Sequence, residues 1–151
     1  MNNNYYSHES GVSCIEFKHY LPSSVGDILK YVWRAGKKQY PNLSLEESCY
    51  KDIAKAIDYL EYCQINGIPS VSVENEKKIK ELEEKFLMNR DFKELNNREV
   101  LCMAVATNLR SAERALLLQD ILKEKKIDLE WLNKVKNWKL VYFGPQNIIW
   151  F

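Results

Sequence analysis

A serine positioned to close a capping box, followed by apolar residues at helical spacing, leaves a chain little freedom. Ser44-Leu-Glu-Glu47 is such a box: the Ser44 hydroxyl can accept from the Glu47 amide, while the Glu47 carboxylate reaches back to the Ser44 N–H. Leu45, Cys49, Ile53, Ala56, Ile57, Leu60 and Cys63 then recur on one side, which predicts a helix from Ser44 to about Gln64. Upstream, Ser23 or Ser24 is placed to cap a helix running to about Lys37, with Gly36 and Pro41 closing it. Two helices joined by so short a link should lie antiparallel.

The remainder extends the same pattern. After a turn-rich connector (Asn66 to Val73), a charged run from Glu74 to Phe92 places Ile79, Leu82 and Phe86 on a narrow stripe, and its charges read as a solvated face. Asn97 is set to cap a long helix through about Lys125, with Leu101, Ala104, Val105, Leu109, Ala112, Leu116 and Leu122 forming its apolar side. A short helical piece from Asp128 to about Trp138 precedes a tail with two apolar runs around Gly144-Pro145, either a small hairpin or an arm packed on a neighbouring subunit. The expected fold is all-α: a compact bundle of four to five helices in one domain spanning residues 1–151.

Charge narrows the function. The 22 Lys and Arg residues against 21 Asp and Glu give a net charge of +1, which argues against a general nucleic-acid coat and makes any affinity for anions local. No apolar run is long enough to span a bilayer and the N-terminus has no secretory pattern, so a soluble, cytoplasmic protein with no membrane partner is expected. Four cysteines without C-x-x-C spacing, and only His8 and His19 beside them, argue against zinc.

Local positive charge is concentrated between Lys30 and Lys38. On a helical wheel Val25, Ile28, Leu29, Val32, Ala35 and Gly36 share the core side, and Asp27, Lys30, Arg34 and Lys37 the other, with Lys38 just beyond. No carboxylate lies one turn from Arg34 or Lys37, so a bound phosphate would relieve their mutual repulsion; ordinary surface charge is the competing explanation. On the second helix Ser48, Asp52, Lys55, Tyr59 and Tyr62 edge the apolar arc and would face those cations across a groove. Asp52 has two possible roles there, an ion pair with Arg34 or Lys30 or an anchor for Mg²⁺. For either role of the pocket Arg34→Ala is expected to abolish ligand binding and leave the melting temperature almost unchanged; a large loss of stability would make Arg34 a structural ion-pair partner. Further along, Arg110 and Arg114 are expected to pair with Glu113 and Asp120, and Asn108 to make a buried structural hydrogen bond.

Three blocks taken together, His-Glu-Ser-Gly-Val-Ser-Cys-Ile-Glu (His8 to Glu16), Val-Gly-Asp-Ile-Leu-Lys-Tyr-Val-Trp-Arg-Ala-Gly-Lys-Lys (Val25 to Lys38) and Lys-Asp-Ile-Ala-Lys-Ala-Ile-Asp-Tyr-Leu-Glu (Lys51 to Glu61), resemble a family of small bacteriophage proteins described as nucleotide-kinase-like. The resemblance covers residues 8–61. It implies a protein of the infected bacterium's cytoplasm that handles nucleotides, with family positions at His8, Gly11, Lys30, Tyr31, Arg34, Lys37 or Lys38, Asp52, Lys55 and Tyr59. Asp27 stands where that pattern has Asn, which puts the ligand or the chemistry in question.

Two functions follow as expectations. The leading one is phosphoryl transfer by a nucleoside-monophosphate kinase-like enzyme using ATP and Mg²⁺, although no Gly-rich phosphate loop is present. The other is a binder that sequesters a nucleotide or a nucleotide-derived defence signal without chemistry. Pyrophosphate hydrolysis ranks below both, because Glu46, Glu47, Asp52 and Asp58 do not share a face. Aromatics in the tail, Trp138, Tyr142, Phe143 and Trp150, suggest packing between copies in a homo-oligomer or against an acidic partner.

Overall fold

The computed structural model describes residues 4–91, 94–124, 126–134, 140–142 and 148–150. A single 3-10 turn (Asn4–Tyr6) leads into α1 (Cys14–Lys18), α2 (Ser23–Arg34), α3 (Leu45–Asn66), α4 (Val73–Leu87), α5 (Asn97–Asn108), α6 (Ala112–Glu124) and α7 (Leu129–Asn133). Strands β1 (Leu140–Tyr142) and β2 (Ile148–Trp150) pair antiparallel, with Val141 opposite Ile149. The fold is all-α with this one small hairpin, and it holds more helices than the sequence pattern suggested.

The capping box on α3 forms as expected, with Ser44 accepting from Glu47 N at 3.0 Å, and Gly67 ends the helix with φ +75°. For α2 the cap is different. Pro22 occupies the N-cap position and no side chain caps the helix, so neither Ser23 nor Ser24 plays that part. Helix α2 stops at Arg34, short of Lys37. Gly36 follows at φ +78°, where a Cβ would lie 2.1 Å from Leu129 Cδ2. A side chain there would be strained by both backbone and neighbour, and the tight passage sends Lys37 back toward α5.

The helix expected from Asn97 to Lys125 is two helices. Arg110 donates to the carbonyls of Ala106 and Leu109 at the end of α5, and Ser111 Oγ accepts from Arg114 N at 3.2 Å at the start of α6. Lys125 lies outside the described residues, as do Phe92, Trp138 and Phe143; of Tyr142 and Trp150 only the backbone is described. The N-cap of α5 is Asn96, which closes a capping box with Glu99, while Asn97 is buried and donates to the Trp131 carbonyl at 2.7 Å.

Residues 97–106 are buried all round α5, which makes it the central rod, walled by α2, α4 and α7. Helix α2 also packs along α3, and α3 in turn along α6. Contacts of Arg34 with Asp52 and of Tyr31 with Tyr59 fix the α2–α3 pair as antiparallel. Trp33, Phe17 and Phe86 pack on one another and, with Leu29, Leu60 and Leu101, are the large side chains of one buried cluster. Two expectations fail on the outer helices. Leu116 is exposed on α6, and Glu83, placed among solvated charges, is fully buried between Ile79 and Phe86.

Candidate functional site

Arg34 does not reach into a shared anion pocket. It is 6% exposed, and its guanidinium is enclosed by protein partners. Nε and Nη2 donate to Asp52 Oδ1 at 3.4 and 3.3 Å, Nη1 to Tyr6 Oη at 2.8 Å, and Nη2 to Tyr40 Oη at 2.6 Å. Tyr40 donates in turn to Asp52 Oδ1 at 2.5 Å. Burial works against the Arg34 charge, but the Tyr6 hydrogen bond and the Asp52 carboxylate outweigh it and raise its pKa. Burial and the bond to Asp52 push Tyr40 up to about 12. The bonds to Asp52 all fall on Oδ1, and its buried Oδ2 has no hydrogen-bond partner among the described residues; with no exposed surface Asp52 would lose its cation in Arg34→Ala, which is therefore expected to destabilise the fold and not to spare it. Of the two roles weighed for Asp52, the ion pair is the one observed. The group of three metal-ligating side chains found among the described residues, His8, Glu9 and Glu99, does not include it.

Around this centre lysines rest on tyrosine faces. Lys30 Nζ lies 4.5 Å from the Tyr31 ring centroid, and Lys38 and Lys51 lie 5.0 and 4.5 Å from that of Tyr40. Tyr31 stacks on Tyr59 at 5.8 Å. Lys55 is exposed, one turn beyond Lys51. Asp27 pairs loosely with Lys18 at 3.8 Å and shares a cavity of about 330 Å³ with Tyr59, Tyr62 and Ser24. Gly11, with φ +85°, turns the chain after His8 by donating to the His8 carbonyl at 2.9 Å. The residues expected to share one pocket are therefore divided among several places.

His8 and Lys37 do meet, in a cleft of about 680 Å³ between the N-terminal segment, the loop after α2 and the start of α5. Arg98, Glu99 and Asn96 form its α5 wall, and Asn133 closes one side. The Ser10 amide donates to His8 Nδ1 at 3.1 Å and the Ser10 hydroxyl lies 2.7 Å from the same nitrogen, while Nε2 is hydrogen-bonded to Glu99 Oε2 at 2.7 Å. The ring stacks on Phe86, with centroids 3.9 Å apart. Glu99 also accepts from Arg90 Nη2 at 2.8 Å and from Asn96 N at 3.1 Å. Burial alone would raise the Glu99 carboxyl, but these donors hold it at about 2. His8 and Glu99 thus tie the N-terminal segment to α5 across 91 residues of sequence.

Arg98 is the cleft's buried cation, and its situation is the opposite of Arg34's. It is 7% exposed and donates from Nη1 to the carbonyls of Val32 and Trp33 at 3.1 and 3.0 Å, at the C-terminal end of α2. Among the described residues neither it nor Lys37 forms an ion pair. Burial lowers the Arg98 pKa. Lys37 keeps an exposed surface, yet local desolvation first and the Arg98 charge second lower its pKa too. The two cations repel across the cleft wall, and Glu99 on the same wall offsets only part of the charge on Lys37. Such a wall favours an anion, which would relieve the repulsion and complete the Arg98 hydrogen bonds.

His8, Glu9 and Glu99 bring ligating atoms within 4.8 Å of one another. The Glu99 oxygens already serve His8, Arg90 and the Asn96 amide, which leaves Glu9, 68% exposed and 3.4 Å from Arg90, as the carboxylate least committed to protein partners.

Sequence reading found His8 and Lys37 and missed Arg98, Glu99 and Arg90. Glu99 carried a local signal, because Asn96-x-x-Glu99 is a capping box. Arg98 carried none. Comparison with protein-family models, with curated proteins and with solved structures found no match for this chain. Among the described residues no helix is long and apolar enough to cross a membrane.

Proposed function

We propose that this protein binds a nucleotide or a nucleotide-derived small molecule by its phosphate, seated between Lys37 and Arg98. The observation that carries the reading is a buried arginine without a carboxylate partner among the described residues, beside a second cation that forms no ion pair among them, on the wall of a cleft large enough for a nucleotide. Asn96 and Asn133 offer amides to a base or sugar, and Tyr5 offers a ring. The resemblance to phage nucleotide-kinase-like proteins supports the same ligand class. Capture without chemistry is the reading favoured here, since the one closed carboxylate–arginine centre is internal and the cleft's carboxylate Glu99 is fully engaged. In an infected cell such capture would remove a nucleotide-derived signal.

Phosphoryl transfer is a second reading, favoured by Glu9 at the cleft edge, where a carboxylate beside phosphate oxygens would help hold Mg²⁺ for ATP. Calorimetry with nucleoside mono-, di- and triphosphates, with and without Mg²⁺, followed by chromatography of the products, separates the two. Unchanged nucleotide retained at one per site, with affinity falling about tenfold or more in Lys37→Met, supports capture. Released diphosphate with turnover supports transfer. Binding by none of these compounds, or binding indifferent to both Lys37→Met and Arg98→Met, contradicts the proposal.

A further inference from the structure

Lys30 was expected to join Arg34 on a ligand, but it borders a separate cavity. This space, of about 400 Å³, lies between the N-terminal turn, α1 and α2 and is lined by Tyr6, Cys14, Ile15, Lys18 and Lys30. None of these residues lines the cleft of Lys37 and Arg98. The Tyr6 ring, Cys14 and Ile15 make an apolar wall, and the two lysines supply charge at its border.

Three observations bear on what it holds. Cys14 is 1% exposed, and burial pushes its thiol up to about 12 despite Lys18, Lys30 and Arg34 nearby. It stays protonated and acts as apolar surface, not as a nucleophile. Ile15 is 71% exposed on the same short helix whose Cys14 and Phe17 are buried, so the cavity mouth presents a large apolar side chain to water. Among the described residues Lys30 forms no ion pair, and the Lys18–Asp27 pair is 3.8 Å long with both partners partly exposed, so it is easily exchanged for another anion.

An apolar wall with cations at its edge discriminates against fully hydrated ions, which gain nothing from the wall, and against neutral apolar molecules, which leave the lysines unsatisfied. We infer that this cavity is a second binding site, for a small molecule with an apolar ring or chain and a single anionic head. The body packs against Tyr6, Cys14 and Ile15, and the head lies between Lys18 and Lys30. The site is independent of the phosphate cleft, so either can fail without the other.

The test uses 8-anilinonaphthalene-1-sulfonate with the full chain. One dye per chain should bind with enhanced fluorescence, weakened about tenfold by Lys30→Gln and by Ile15→Asp and unchanged by Lys37→Met. Both cavity substitutions replace side chains that reach the surface, and circular dichroism and the melting temperature confirm that each variant is folded. Octanoate should displace the dye, and octanol should not. Equal dye affinity in wild type, Lys30→Gln and Ile15→Asp overturns the assignment, as does displacement by octanol as effective as that by octanoate.

Discussion

Arg34 and Arg98 are both more than nine-tenths buried, yet they do different work. Arg34 is surrounded by Asp52, Tyr6 and Tyr40, and its charge is reinforced by them. Arg98 meets two backbone carbonyls and, among the described residues, no carboxylate, and burial lowers its pKa. A buried charge completed by protein groups holds helices together. One left incomplete on a cleft wall is ready for an anion from outside. The arginine nearest the centre of the cationic stretch is therefore paired within the protein, and the arginine far from that stretch in sequence is the one proposed to meet a ligand.

The largest expected effect separates the two residues by stability. Arg34→Met should destabilise the fold by about 3–5 kcal/mol in urea denaturation, because Asp52 would remain buried without its cation. A loss below about 1 kcal/mol would mean that the buried Asp52 does not depend on Arg34.

The same contrast between paired and unpaired charge recurs in two carboxylates. Glu83 is fully buried with neither oxygen hydrogen-bonded within the protein, and burial pushes it up to about 8. A carboxyl whose pKa is raised on folding contributes stability that is complete below its unfolded value of 4.5 and lost as pH rises toward 8. At pH 9 Glu83→Gln should therefore stabilise the protein by about 2–3 kcal/mol, with little effect at pH 4. For Glu99, held at about 2, the sign is opposite: its contribution is present above 4.5 and lost as pH falls through 2. Melting temperatures from pH 2 to pH 9 for wild type, Glu83→Gln and Glu99→Gln check both.

Arg98→Met should change stability by only about 1–2 kcal/mol, for two carbonyl bonds at the end of α2, while weakening nucleotide binding at least about tenfold. If stability falls as far as in Arg34→Met, the distinction between the two arginines collapses. The smallest effect concerns how the two helices that carry the Arg34–Asp52 pair begin. Ser44→Ala should cost about 1 kcal/mol through its lost cap, and Ser23→Ala close to nothing, by thermal melts of the two variants.

Helices α2 and α3 were legible because their signals lie within a few residues, whereas the Ser13–Glu16 box that starts α1 was passed over. Ser44 and Glu47 announce α3, and the apolar period of α2 and α3 gives an antiparallel pair. The break between α5 and α6 escaped because the apolar period runs on through Leu109 and Ala112, although Ser111 sits where an N-cap serves the second helix. Glu83 lies four residues from Ile79 and three from Phe86, so the stripe itself pointed to burial, and the abundance of neighbouring charges hid it. Arg110 pairs with Glu76 and Arg114 with Asn108, partners on other helices that outcompete Glu113 and Asp120. Asn108 is buried and hydrogen-bonded, as its place in the apolar stripe implied. For the site, the motif region supplied His8 and Lys37. Arg98 and Glu99 reach them through contacts that no spacing along the chain encodes.

The most direct test of the phosphate position is chemical-shift mapping of backbone amides during titration with adenosine mono-, di- or triphosphate, whichever binds most tightly in calorimetry. Shifts should concentrate at Ser7 to Glu9, Lys37, Asn96 to Glu99 and Asn133. Shifts confined instead to Lys30 to Arg34 and Asp52 to Tyr59, with Lys37 and Arg98 silent, would contradict the account.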